Sequence, residues 1–183
     1  MTKSHRHAVE VRLAQDGPDE AAVSGLMAEY LSWALAQLEA EYGIVDMPVD
    51  PTPAAEALDA YHPPHGLLAV AEVEGRIVGV GAARSLSPGT AEIKRMYLAP
   101  PYRGLHIASE ILDFLLVHAR AELRATTVRL DTCRFMATAQ RLYRSRGFVE
   151  RAPYEGTEIP ARLQKYWLFF ETTSGPSARE TWC

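Results

Sequence analysis

The sequence predicts a single α/β domain built on a mixed sheet, and three observations predict it. Runs with a two-residue apolar period alternate with runs of helical period in the order β-α-(α)-β-β-β-α-β-α-β-β, the pattern of a sheet covered by helices. The 183 residues suit one domain, a length at which roughly 70% of the unfolded surface can be buried without a disulfide or metal. An apolar fraction of 48% beside a charged fraction of 23% is ordinary for a globular chain.

Each element has its own warrant. AVEVRLA, Ala8 to Ala14, alternates apolar and polar residues and predicts a strand with one buried face. Asp16 to Gly43 reads as a helix, with Asp16 as its cap, Pro18 in its first turn, and Asp19 and Glu20 where the helix dipole favours negative charge. Gly43 is its stop. Ile44 to Pro64 has little periodicity and carries Pro48, Pro51, Pro53, Pro63 and Pro64, with a short helix expected around PAAEALDAY. Such a segment is either a lid over a site or a solvated spacer.

Two strand-like runs flank Glu74-Gly75, a tight hairpin signal, and TAEIKRMYLAP adds a third, closed by Pro100-Pro101. Ala108, Ile111, Leu112, Leu115, Leu116 and Ala119 then form the apolar stripe of a helix from Gly104 to about Glu122. TVRLDT predicts a strand, Phe135 to Arg146 a helix ended by Gly147, and FVERAPY and KYWLFFET the last two strands. Residues 1–7 and 172–183 are expected to be flexible ends of a domain spanning 8–171.

Several function classes are disfavoured. No apolar run reaches the roughly 18 residues of a membrane span, and MTKSHRH lacks the apolar stretch of a secretion signal. Two cysteines without a spacing pattern, Cys133 and Cys183, predict free thiols in a reducing cytoplasm. A net charge of −4 argues against a nucleic-acid surface. HPPH, His62 to His65, has no third ligand nearby, so no metal site is expected.

The first turn of the striped helix carries the chemistry. Free backbone N–H groups at a firmly held N-terminus form an anion site. Gly104 lets a ligand approach, Ala108 keeps the turn slim, and Arg103 adds positive charge, an arrangement suited to a diphosphate. Glycine spacing alone favours a simple strand-to-helix turn.

Arg103-Gly104-Leu105-His106-Ile107-Ala108, between EIKRMYLAP and the helix, resembles the coenzyme A loop of the GNAT acetyltransferase superfamily, whose pattern is Arg/Gln-x-x-Gly-x-Gly/Ala. LDTCRFMATAQRLYRSRGF resembles a second motif of that family, Ala-x-x-Leu-Tyr-x-x-x-Gly-Phe after a strand. The resemblance runs from about Gly66 to Glu171 and leaves the first third supported by topology alone. It implies a GNAT-fold domain with a mixed, mostly antiparallel sheet flanked by helices. It also implies acetyl-CoA as cosubstrate, bound by Met96, Tyr97 and Leu98 of the strand and by Arg103 through Ser109 (Arg103, Gly104, Leu105, His106, Ile107, Ala108, Ser109).

Transfer of an acetyl group to an amine needs a neutral amine, a polarised thioester carbonyl and a proton for the leaving thiolate. A lysine-like amine is only about one part in 10³ neutral near pH 7. The resemblance makes Tyr143 the acid, and Glu92 is the candidate base. Each has a competing structural role: Tyr143 as a packing tyrosine, Glu92 as the partner of Lys94 or Arg95. Arg84, Lys94 and Arg95 either hold a substrate carboxylate or neutralise Glu92, and Tyr154 is expected in the same cleft. Two departures stand out. His106 replaces the loop's central glycine, where its side chain obstructs a phosphate or, protonated, binds it, and Met136 replaces a frequent asparagine.

The expected partner is a small amine acceptor, with no nucleic acid or membrane, and the expected assembly is a monomer or homodimer. Two alternatives are a protein acceptor, which needs an open groove between Ile44–Pro64 and the segment after Tyr154, and an acyl-CoA sensor without turnover.

Overall fold

The structure, a computed structural model, describes residues 8–47 and 60–173. Strand β1 (Val9–Leu13) leads into helix α1 (Glu20–Tyr42), followed by β2 (Gly66–Val73), β3 (Arg76–Ser87) and β4 (Thr90–Leu98). A short 3-10 turn, Pro100–Tyr102, precedes α2 (Ile107–Ala121), and β5 (Thr127–Cys133), α3 (Ala137–Ser145) and β6 (Val149–Arg151) come next. A second 3-10 segment, Ala161–Tyr166, leads into β7 (Trp167–Thr173). The seven strands form one sheet in the order β1-β2-β3-β4-β5-β7-β6. Every pairing is antiparallel except that of β4 with β5.

The two faces of the sheet are packed differently. On one face α2 lays Ile107, Ile111, Leu112, Leu115 and Ala119 against Ala69, Ala71, Ile93 and Leu130, with Tyr143 and Phe148 completing the same cluster. Gly79 and Gly81 bring α2 close: a methyl on Gly81 would stand 2.7 Å from Ile111 and from Met96, and one on Gly79 would stand 2.9 Å from Leu98 and 3.0 Å from Ile111. On the other face α1 buries Val23, Leu26 and Met27 with Tyr61, Val70, Val80 and Tyr97. Its last turns bury Leu38 beside Tyr154, Trp167 and Phe169.

The boundaries differ from the sequence reading in ways with local causes. Helix α1 starts at Glu20, with Asp19 and not Asp16 as its first cap residue, and Pro18 lies ahead of it. Arg12 of β1 claims both Asp19 oxygens, at 2.5 and 3.0 Å, so Asp19 anchors the strand instead of capping the helix. Gly43 ends the helix in left-handed geometry (φ 65°), as expected. Helix α3 is shorter than predicted, because Met136 has left helical geometry (φ −81°, ψ 54°) and packs with Phe135 and Cys133, away from the core that holds Ala139, Leu142 and Tyr143. Met136 therefore does not share a helix face with Tyr143. Strand β7 runs past the expected boundary at 171, pairing Thr172 with Val128 and Thr173 with Thr127. The helix expected around PAAEALDAY and the flexible ends fall on 1–7, 48–59 and 174–183, outside the described residues but for the last residues of that helix and the start of that tail.

The hydrogen bonds from Arg12 hold the Asp19 carboxyl below its usual range, against the opposing effect of burial. A group so depressed adds stability above the unfolded carboxylate range, and that stability is lost as pH falls through the folded value. D19N is expected to lower the unfolding free energy at pH 7 by about 1.5–3 kcal/mol. Urea titrations between pH 3 and 7 should then show a flatter acid limb than wild type.

Candidate active site

Strands β4 and β5 pair only from Thr90 and Thr127 to Ile93 and Leu130. Beyond that register both continue without hydrogen-bonding each other, and a cleft opens in the sheet. A bulge in β4 marks the opening. Val80 faces Tyr97 and Ala82 faces Lys94, so two steps on β3 answer three on β4. The extra residue is Arg95, held at φ 57°, a left-handed conformation unusual for a residue with a side chain. Ala99 donates its N–H to the Val78 carbonyl at 2.9 Å, which sets the alternation of the strand end. Tyr97 turns its backbone toward β3, and Met96 and Leu98 turn theirs away, toward the cleft.

At the mouth of this cleft lies the tip of α2. Gly104 (φ 82°) and His106 (φ 65°) both adopt left-handed geometry, so the position where the family pattern has glycine is occupied by a histidine in a glycine-like conformation. The His106 carbonyl accepts the N–H of Ser109 and of Glu110. The N–H groups of Gly104, Leu105, His106, Ile107 and Ala108 have no hydrogen-bond partner among the described residues. Five consecutive free donors with a helix dipole behind them make a concave anion site. Ile107 is buried, Ala108 and Ser109 are half-buried, and Leu105 and His106 are exposed. The Arg103 Nε donates to the Leu98 carbonyl at 3.1 Å, and its guanidinium lies 5.6 Å from the Trp33 ring and 5.7 Å from the Tyr97 ring. The positive charge expected to project toward a ligand is instead anchored at the strand end and on α1.

On the α1 face of the cleft, ionisable side chains form a cluster that is closed off at Glu92, Lys94 and Asp131 and opens to solvent at Glu158. Glu92 is fully buried. Its Oε2 accepts the Arg84 Nε at 2.8 Å and Nη2 at 2.7 Å, and its Oε1 accepts the Tyr154 hydroxyl at 2.8 Å. Arg84 and Glu92 face each other across β3 and β4, which fixes this pair by register. Lys94 meets Asp131 at 2.9 Å and Glu158 at 3.4 Å, with Glu92 at 3.8 Å, while Arg84 also reaches Glu158 at 2.9 Å. Two cations thus stand among three carboxylates. Burial opposes the charge on Lys94, but Asp131, Glu92 and Glu158 outweigh it and raise its pKa, so it stays protonated. Burial likewise opposes the charge of Glu158, and Lys94, Arg84 and Arg95 hold its pKa down. Arg95 makes no ion pair with the described residues.

Tyr143 crosses from the other face. Its ring is buried in the α2 core, in contact with Phe148 (6.0 Å) and Phe170 (6.2 Å). Its hydroxyl makes no hydrogen bond among the described residues, where no side-chain N or O sealed from solvent lacks a partner, so the hydroxyl reaches open space. Burial, then Tyr30, then Asp131 push its pKa up, so the phenol is a neutral donor at ordinary pH. Opposite it, α1 presents Tyr30 and Trp33, in ring contact with Tyr97 at 5.6 Å and Phe135 at 5.7 Å, and Tyr42 stacks on Tyr166 at 4.6 Å.

The expected site residues therefore fall into three groups at one cleft. Met96, Tyr97 and Leu98 form its β4 wall, Arg103 to Ser109 its mouth, and Arg84, Glu92, Lys94 and Tyr154 the cluster beneath it. Arg84 and Lys94 are committed to carboxylates of the chain itself, which leaves Arg95, of the three expected cations, without such a partner. Asp131, Glu158 and Tyr30 were not among the expected site residues. An acid in the middle of LDT, on a strand predicted to be buried, is a usable signal for Asp131, whereas Glu158 lies in an irregular segment without periodicity. No group of three or more His, Cys, Asp or Glu that could hold a metal occurs among the described residues.

The sequence model of the Acetyltransferase (GNAT) family matches residues 26–148. The chain belongs to this family, and the match begins inside α1, earlier than the motifs alone reach. It is 34% identical over 108 residues to an uncharacterized N-acetyltransferase of Schizosaccharomyces pombe, covering 58% of this chain and 66% of that protein. It is 37% identical over 86 residues to an IAA acetyltransferase of Azospirillum brasilense, covering 46% of this chain and 56% of that protein. The matched segments thus span less than two thirds of either curated relative. Among solved structures, an acetyltransferase of Streptococcus agalactiae has a similar fold with a TM-score of 0.70 at 18% identity, covering 90% of this chain and 98% of that one. A Salmonella typhimurium protein solved with its cofactor acetyl-CoA has a TM-score of 0.66 at 19% identity, covering 96% and 99%. These likenesses establish the single-domain GNAT fold: a seven-stranded mixed sheet flanked by helices.

Replacing Glu92 by glutamine removes one partner of a buried pair. E92Q is expected to cost about 3 kcal/mol, the low end for such a loss, since Arg84 keeps Glu158. Chemical denaturation of E92Q against wild type measures it.

Proposed function

We propose that the protein transfers an acetyl group from acetyl-CoA to the primary amine of a small-molecule or amino-acid-like acceptor by direct attack. One observation carries this reading: five free N–H groups at the α2 tip stand beside a strand end whose own backbone groups face an open cleft. A ligand with a diphosphate at one end and amides along its arm would satisfy both. In this reading the amides of Gly104 to Ala108 hold the diphosphate, Met96 and Leu98 bond the arm, and the acyl group lies in the cleft near Tyr143. Arg103 supports the binding loop from below through Leu98 and Trp33.

Tyr143 then serves as the acid. Its unpartnered hydroxyl and raised pKa suit a donor that protonates the departing sulfur as the C–S bond breaks. Glu92, with both oxygens engaged, acts by orienting Tyr154 and Arg84. The cluster of Arg84, Lys94, Glu92, Asp131 and Glu158 sums to one excess negative charge, a field that draws a protonated amine toward the acyl group. An acceptor carboxylate, where present, falls to Arg95. The active form is read as a monomer or homodimer in a reducing cytoplasm, in keeping with the buried free thiol of Cys133; no helix among the described residues is long and apolar enough to cross a membrane.

Free-thiol release from acetyl-CoA with spermidine, 2-phenylethylamine, L-glutamate and a lysine-containing peptide tests the reading. At least one small amine should be acetylated faster than the peptide, and absence of acetyl-CoA affinity by calorimetry overturns the assignment. Y143F should lower kcat by roughly 10²–10⁴ while leaving the acetyl-CoA Kd within about twofold. H106G removes a side chain from a left-handed position at the cradle, where that geometry costs an ordinary residue roughly 1–2 kcal/mol. If the imidazole obstructs the phosphates, acetyl-CoA binds more tightly to H106G in the same calorimeter.

A further inference from the structure

We infer that Asp131, and not Glu92, takes the proton from the attacking amine; this rests on the transferase reading above. Vacancy and position separate the two carboxylates. Both oxygens of Glu92 are engaged, Oε2 by Arg84 and Oε1 by Tyr154. A carboxylate clamped in this way presents no oxygen to a substrate without breaking a buried contact. Asp131 is different: Lys94 occupies its Oδ2 at 2.9 Å, and no donor among the described residues occupies Oδ1. Since no sealed side-chain oxygen among the described residues lacks a partner, Oδ1 stands open to the cleft.

Its position is set by topology. Leu130 is the last β5 residue paired with β4, so Asp131 is the first residue of β5 beyond the point where the strands part. The carboxylate therefore lies at the apex of the cleft. Its charge acts on phenols from three elements: Tyr30 of α1, Tyr143 of α3, and Tyr154 from the segment after β6. The other charges facing it are Lys94, Glu92 and, through Lys94, Glu158. Arg129, two residues back on β5, is taken by Glu171 and lies over the Tyr154 ring.

The step balances without any further reagent. The amine nitrogen forms a bond to the acetyl carbon, the C–S bond breaks, and the sulfur takes the proton of the Tyr143 hydroxyl. The proton shed by the amine goes to Asp131 Oδ1. Tyr143 and Asp131 exchange protons with solvent before the next turnover. Lys94, at 2.9 Å from Oδ2, fixes the plane of the Asp131 carboxylate.

The test uses acetyl-CoA with the fastest amine of the panel above, and wild type is measured first. If wild type releases no thiol with any amine, the transferase reading fails and this inference with it. With turnover in hand, D131N should lose about 10²–10⁴ in kcat/KM at pH 7. That loss should shrink steadily toward pH 10, where the amine deprotonates unaided, and the acetyl-CoA Kd should stay within about twofold. D131E should recover part of the rate. E92Q should lower stability and lose any rate equally at every pH. Because D131N takes from Lys94 its nearest carboxylate, K94Q and K94Q/D131N provide a second pair: K94Q should keep the wild-type pH shape and the double variant lose it. A D131N or K94Q/D131N profile parallel to its Asp131-bearing parent across the whole pH range overturns the inference, as does an E92Q profile that changes shape in the way predicted for D131N.

Discussion

The ion pair between Lys94 and Asp131 stands where the sheet stops being a sheet. Up to Ile93 and Leu130 the two central strands are joined by backbone hydrogen bonds; one residue further the join is a side-chain bridge of 2.9 Å. A parallel pair that parts in the middle of a domain leaves backbone groups unpaired, and these need other partners. Here the bridge closes the apex, and the bulge at Arg95 turns the freed groups of β4 toward the gap. The cleft, its polar walls and the charge cluster beneath it all follow from where that ladder ends.

The division of labour between the two faces follows from the same parting. The α2 face is apolar and tightly packed, which suits a scaffold that must hold five amides at a helix tip without shifting. The α1 face is where charge and aromatic rings gather, with Arg84, Lys94 and their carboxylates below and Tyr30 and Trp33 above. Tyr143 links the faces, with its ring in one core and its hydroxyl in the gap. A buried cluster of this kind is poor evidence for stability on its own, because desolvation offsets much of the attraction. Register explains its presence better: Arg84 and Glu92 are fixed opposite each other by strand pairing.

Much of this was legible in the sequence, for identifiable reasons. The stripe of Ile111, Leu112, Leu115 and Ala119 repeats over enough turns to define α2 and the face it buries. Glu74-Gly75 set its hairpin because the turn demands two left-handed residues, and both are found there (φ 51° and 75°). The loop at the tip of α2 and the place of Tyr143 on α3 were readable because each sits in a local motif. What stayed hidden depends on partners far along the chain. Asp131 pairs with a residue 37 positions away, and Glu158 joins from a segment without periodicity. Asp19 has the composition of a cap, yet Arg12 of the neighbouring strand claims it. Two of the three cations expected to await a ligand, Arg84 and Lys94, are matched within the chain, because spacing along one strand says nothing about what the next strand presents.

Two residues of β3 have no side chain beyond a hydrogen, and α2 lies directly over them. Gly79 and Gly81 thereby set a distance: they determine how low the helix sits on the sheet, and so how far its amide-bearing tip stands from the unpaired end of β4. A methyl at either place would act as a shim, raising the helix against Ile111 and lifting the cradle off the strand it faces. The spacing between the two halves of the cleft is thus gauged by atoms that are missing, on a strand that lines neither half.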